Sequence, residues 1–216
     1  MSAARKLLSY VLLFGLGSML AVGGIELMAL HAAPAALVAP GQRVGVTGQR
    51  FWYAPGEYPR LSLPGGQTRT IRSVLSIRQR LRYGDYVWDD NGIPAGPVWV
   101  RADLDRQLIS VFRDGHEIGT AVILYGADGK PTPAGTFPVL QKAADYHSMT
   151  YDAPMPYMLR LTRDGVAIHG SDVRRGAATH GCIGVPTAFA RLLFEQMQLG
   201  DPVMVVGSLP PANQAR

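Results

Sequence analysis

The sequence predicts a mainly β protein: an antiparallel, β-sandwich-like domain with one or two short helices, preceded by an N-terminal membrane-anchor or signal helix. Three features predict it. Glycine (25) and proline (16) are frequent, which favours strands joined by turns over a helical bundle. Between residues 97 and 124 two hairpins come one after the other, with apolar positions alternating about tight turns. Ahead of them, residues 7–24 form an apolar run of eighteen positions without a charge. The chain divides into a signal or signal-anchor helix (1–36), a basic Pro/Gly/Arg-rich linker or accessory segment (37–82), the principal folded domain (83–208) and a polar tail (209–216).

The apolar run lies behind Arg5 and Lys6 and ends before Glu26 and His31. Its length is at the short edge of a membrane-spanning helix and long for a signal-peptide core. Either outcome keeps the basic end in the cytoplasm and exports the chain beyond Leu37, so the expected location is the periplasm or the outer face of the cytoplasmic membrane. The membrane is an expected partner through this segment. Residues 37–82 mix Pro40, Pro55, Pro59 and Pro64 with glycines and spaced arginines. Within them, 44–53 suits one or two short strands. Residues 70–81 carry Ile71, Val74, Leu75, Ile77 and Leu81 at mixed spacing, which fits a short amphipathic helix as well as a strand.

Residues 83–97 are turn-rich, and 97–102 read as a strand around Val98, Trp99 and Val100. The strand 107–113 turns at Asp114-Gly115, a hairpin signal, into its partner at 117–124. A loop by composition (126–135) leads to a strand at 136–140. The polar stretch 141–156, with Tyr146, His147 and Tyr151, reads as a flap. Strands at 157–161 and 166–169 pair through Arg163-Asp164-Gly165, which sets His169 at a strand end. Thr187 is a natural N-cap for a helix over 188–198, with Phe189, Leu192, Leu193 and Met197 on one face and Gly200 at its stop. A strand at 202–206 closes the domain.

The net charge of +5 is unevenly spread. Residues 33–82 carry eight arginines against Glu57, whereas the chain from Tyr83 onward has 14 acidic and 11 basic residues. A basic arm before a mildly acidic domain suits contact with anionic envelope polymers or a membrane surface. No nucleic-acid motif is present, and nucleic acid is not an expected partner.

Chemistry concentrates in 168–186, which holds the single cysteine, Cys182, and two of the five histidines, His169 and His180. One thiol cannot form an intramolecular disulfide, so it serves packing or reactivity. Reactivity needs a thiolate, and a neighbouring imidazole supplies it by taking the proton or by pairing as the cation. Gly181 lets the backbone approach a substrate carbonyl, and amides around Gly181 and Cys182 can stabilise an oxyanion. Gly170 leaves room beside His169 for a carbonyl or carboxylate that orients the ring. His169, His180 and Cys182 also number three zinc ligands, but no paired-cysteine or His-Glu-x-x-His pattern accompanies them, and neither a metal nor another cofactor is expected.

His169-Gly170 followed by Thr179-His180-Gly181-Cys182-Ile183 resembles the signature of the bacterial L,D-transpeptidase catalytic domain. The likeness extends to Gly126 with Pro131-Thr132-Pro133-Ala134-Gly135-Thr136-Phe137, to Met155-Pro156-Tyr157 and to Leu199-Gly200-Asp201-Pro202-Val203, and so covers residues 97–207. Two positions depart from the family. His180 follows His169 by eleven residues, a shorter interval than is common, and Gly184 stands where many members carry Arg. Arg174 and Arg175, inside the shortened loop, are stand-ins for substrate binding, together with Tyr157 and Thr179.

The resemblance implies a cysteine acyl-transferase. Cys182 is then the nucleophile, His169 the base and later the acid, and His180 a group that binds substrate or polarises the site. Gly181 and Gly170 serve the oxyanion and the backbone approach. The implied substrate is a peptidoglycan stem peptide, cut before its terminal D-alanine. The acyl group passes to an amine, giving a 3–3 cross-link or an attached protein. With water as acceptor the same site is a carboxypeptidase or amidase. Without chemistry the chain is an envelope-binding module.

Overall fold

The computed structural model describes residues 43–44, 50–62, 68–127 and 129–207. The anchor or signal segment and the tail lie outside the described residues. Among those described, no helix is long and apolar enough to cross a membrane.

The first strands are β1 (Arg43–Val44), β2 (Arg50–Trp52), β3 (Arg60–Ser62), β4 (Thr68–Thr70), β5 (Ser73–Leu75) and β6 (Tyr86–Trp88). The expected hairpins are β7 (Val98–Asp103), β8 (Leu108–Arg113) and β9 (His116–Val122). Asp114 and Gly115 both take positive φ, 49° and 80°, the twist that a two-residue hairpin turn requires. Next come β10 (Gly135–Pro138), β11 (Gln141–Ala143), β12 (His147–Ser148), β13 (Ala153–Pro154), β14 (Met158–Arg160), β15 (Ala167–Ser171) and β16 (Ile183–Pro186). The helix α1 (Thr187–Gln196) and β17 (Pro202–Val206) complete the described chain.

Two sheets form the body. The larger runs β1-β6-β9-β8-β7-β17-β10, with β5 bridging to β9 and carrying β2 at its edge, and the smaller runs β11-β14-β15-β16. Val100, Ile109, Val111 and Ile118 from the larger sheet meet Leu159, Ile168, Ile183 and Val185 from the smaller, with Phe189 and Leu193 of α1 in the same cluster. The alternation of β7 to β9 turns these residues inward, and their burial drives the layers together. Trp88 lies across Gly119, where a Cβ would come within 2.3 Å of its ring, and meets Phe189 edge-on at 5.5 Å. This tight seat leaves no room for a larger residue at 119.

The expectation of an antiparallel architecture needs correction: β1–β6, β5–β9, β7–β17 and β15–β16 are parallel pairs. A parallel neighbour requires a crossover. Residues 172–182 provide it for β15–β16, and α1 provides the return path that seats β17 beside β7. The helix considered over 70–81 is absent. Residues 73–75 instead join the sheet as β5, and the Leu75 amide donates to Glu117 Oε2 at 2.9 Å. Thr187 is the first helical residue, not the cap. Pro186 holds the N-cap position and no side chain caps it. At the other end α1 stops at Gln196, with Met197 as its C-cap. The Lys142 ammonium satisfies the terminal carbonyls, donating to Phe194 O at 2.8 Å and to Met197 O.

Candidate active site

The parallel pairing of β15 with β16 builds the site. Ile168 lies opposite Ile183, both buried, and His169 lies opposite Gly184. One step earlier the register sets Cys182 beside Ala167. Alternate residues share a face, so Cys182 and His169 are diagonal neighbours on one face of the pair, with Cα atoms about 8 Å apart from strand spacing and rise. Both side chains line a cavity of about 450 Å³ with Gly170, Ser171, Arg174, Thr179 and His180.

His169 is held by its own strand. Its Nδ1 lies 2.9 Å from Gly170 O and 3.3 Å from Ser171 Oγ. A carbonyl only accepts, so Nδ1 carries the proton and Nε2 of the neutral ring has a free lone pair. The orienting group expected beside Gly170 is thus the carbonyl of Gly170 itself. Gly170 is also crowded: a Cβ there would meet Thr187 Oγ1 at 3.0 Å and Pro156 Cγ at 3.1 Å.

The 179–182 turn is fixed from three sides. Thr179 Oγ1 donates to Cys182 O at 2.5 Å, closing the turn on itself. Thr179 N–H donates to Tyr125 O, and Ala127 N–H to Thr179 O. Thr132 braces the adjoining loop by accepting the Gly126 amide at 2.9 Å. Gly181 takes φ 102°, a conformation that favours glycine. The Cys182 thiol donates to Gly165 O at 3.8 Å and packs beside Met155, Met158 and Ala167.

Burial raises the Cys182 thiol above its ordinary value, against the opposing pulls of the Ala167 amide and the Lys130 charge. Burial lowers the His169 imidazole, against its bond to Gly170. The resting pair is therefore a neutral thiol and a neutral ring, not an ion pair.

Part of the stretch 141–156 lines the cavity, with Ser148, Tyr151 and Pro154 in its wall and β12 and β13 as its short strands. Its Tyr151 ring stacks on His180 at 4.5 Å and 12°. Lys130 Nζ donates to Tyr151 Oη at 2.6 Å, so a cation, the flap and the motif turn form one clamp. Lys130 and Ser171 carried no signal in the sequence, because their partners are distant or set by register.

Other expected positions fall elsewhere. Tyr157 takes φ 57° and presents its ring to Phe194 at 5.9 Å, away from the cavity lining. Arg175 lines a different cavity, while Arg174 lines this one and pairs with Asp172 at 3.3 Å. Gly184 is explained by Ser171: a Cβ at 184 would come within 2.8 Å of Ser171 Oγ and 3.0 Å of its Cβ. A side chain as long as arginine has no seat there. Among the described residues, no group of three His, Cys, Asp or Glu side chains could hold a metal ion.

The YkuD family, described as the L,D-transpeptidase catalytic domain, matches residues 97–205. The chain belongs to this family. L,D-transpeptidase 1 of Mycobacterium tuberculosis is 29% identical over 123 residues, covering 49% of this chain and 49% of that protein. The chain thus spans about half the length of the curated relatives it matches. The solved L,D-transpeptidase from Stackebrandtia nassauensis has a similar fold, with TM-score 0.50 and 24% identity over 55% of this chain and 60% of that one. An Enterococcus faecium L,D-transpeptidase is 28% identical, with TM-score 0.48, over 52% of this chain and 50% of that one. The matched region of the L,D-transpeptidase domain contains every group that lines the cavity described above.

Proposed function

We propose that the chain is a cysteine acyl-transferase acting on peptidoglycan stem peptides. The observation that carries this reading is that Cys182 and His169 open into one cavity, with Nδ1 engaged by the Gly170 carbonyl. Cys182 Sγ attacks the carbonyl before the terminal D-alanine while His169 Nε2 takes the thiol proton. The carbon–nitrogen bond breaks, and His169 returns that proton to the departing amine. An acceptor amine then attacks the thioester, releases the thiol and forms the cross-link or protein attachment. Backbone amides of the Gly181–Cys182 turn serve the developing oxyanion. His180, held under Tyr151, orders the flap over the bound stem. The 1–36 segment directs or tethers the chain to the outer face of the cytoplasmic membrane, and the basic arm favours anionic envelope polymers.

Incubation of the protein with a disaccharide-tetrapeptide, followed by mass analysis, tests the reading. The expected product is a cross-linked dimer that Cys182→Ser abolishes. Tripeptide alone identifies water as the acceptor, and no reaction overturns the enzyme. A carbapenem is expected to leave its mass on the wild-type chain at Cys182.

A further inference from the structure

A second cavity, of about 1010 Å³, is more than twice the size of the one at Cys182. It lies between the outer face of β8 and β9 and the arm formed by residues 76–83. The arm is tied down at both ends. The Leu75 amide is bound by Glu117 Oε2, Tyr83 Oη donates to Gln107 Oε1 at 3.1 Å, and Leu81 packs near Val87 and Val122. The groove is therefore preformed rather than a gap under a loose loop.

Its lining sets two polar chemistries around apolar side chains of Leu75, Ile77, Leu81, Leu108 and Val122. Gln79, Gln107 and Thr120 offer amides and a hydroxyl, the partners that sugar hydroxyls use, while Ser110 is engaged by Glu117. Arg80, Arg82, Arg106 and Arg175 face it against one carboxyl, Glu117, which is buried and already bonded. Asp103 holds Arg106 at 3.0 Å. Arg80, Arg82 and Arg175 make no ion pair among the described residues. Guanidinium forks match carboxylate and phosphate, and a cleft walled by one sign of charge concentrates anions. A concave groove whose apolar floor is edged by amides and guanidinium groups fits an extended chain better than a flat lipid surface.

We propose that this groove is a second binding site, for an extended polysaccharide or polyol chain bearing oxyanions, held at Arg80, Arg82 and Arg175. The groove gives a location to the envelope-polymer contact proposed above and rests on that reading. The loop 172–179 separates the two cavities, with Arg174 facing one and Arg175 the other. A shallow depression lined by Gln107, Leu124 and Ala177 joins them. A bound polymer therefore lies next to the place where a stem peptide reacts.

Calorimetric titration of the full-length chain in detergent tests the proposal, with polygalacturonate, poly(glycerol phosphate), neutral dextran and glycerol 1-phosphate as probes. One or both charged polymers should bind saturably to wild type and to C182S, which separates this site from the fate of the acyl-transferase reading. R80E/R82E/R175E should weaken binding about tenfold or more, while the matched triple R60E/R69E/R163E should leave it within about twofold. If the groove triple does not fold, R175E alone decides, with an expected loss of about threefold. Equal affinity for dextran, equal loss in the matched triple, or no loss in the groove variant overturns the proposal. So does saturation by glycerol 1-phosphate with neither polymer bound, which would point to a lipid headgroup.

Discussion

At the scale of single residues, the central fact is that burial moves Cys182 and His169 in opposite directions, each toward its neutral form. In the proposed mechanism the thiol proton then leaves during attack. Iodoacetamide alkylation of Cys182 should rise with pH to an inflection above the ordinary thiol range, and Lys130→Met should move that inflection further up because a favourable charge is lost. An inflection near neutrality would contradict the neutral pair. The linkage to stability has a definite sign. The raised thiol contributes stability that is complete below its unfolded value and is lost as pH climbs through the folded one. The lowered imidazole contributes stability that is present above its unfolded value and is lost as pH falls toward the folded one. These two groups therefore favour the interval between the ordinary imidazole and thiol values, and Cys182→Ala should flatten the alkaline decline of the thermal midpoint.

At the scale of elements, the β15–β16 pair decides which side chains fit the site. Gly184→Ala should cost about 1–3 kcal/mol in denaturant unfolding, because its Cβ meets Ser171, and Ser171→Gly should restore most of that loss. Additive effects in the double variant would show that the two positions do not touch. Lys142→Met should cost about 1–2 kcal/mol by leaving the last carbonyls of α1 without a cation. Much of this level was legible beforehand. The Asp114-Gly115 turn and the 179–182 motif are encoded within a few consecutive residues, where turn geometry and the grouping of thiol, imidazole and glycine speak locally. Parallel pairing was not legible, since no local period distinguishes a strand's parallel partner from an antiparallel one. The Ser171–Gly184 contact and the Lys130–Tyr151–His180 clamp were hidden for the same reason, because their members meet only after the sheets form. The direction of the Tyr157 ring was hidden too, because its motif says nothing of a backbone twist that turns it to Phe194.

At the scale of the whole molecule, the two cavities share the 172–179 loop as a common wall, so the groove under the arm of 76–83 adjoins the cavity at Cys182. The basic arm read from composition is thereby given a structural place, although composition could not say that part of it joins the larger sheet as β5. The sheets themselves are stitched at a seam: Leu124 and Gly184 exchange both backbone hydrogen bonds, at 2.8 and 3.0 Å, immediately beyond Cys182. Loosening the strand that follows Cys182 therefore means unzipping the junction between layers. Heat should abolish turnover and melt the larger sheet in a single step, so that the temperature of half-maximal inactivation coincides with the circular-dichroism midpoint, and an enzyme that goes silent while still fully folded is not expected.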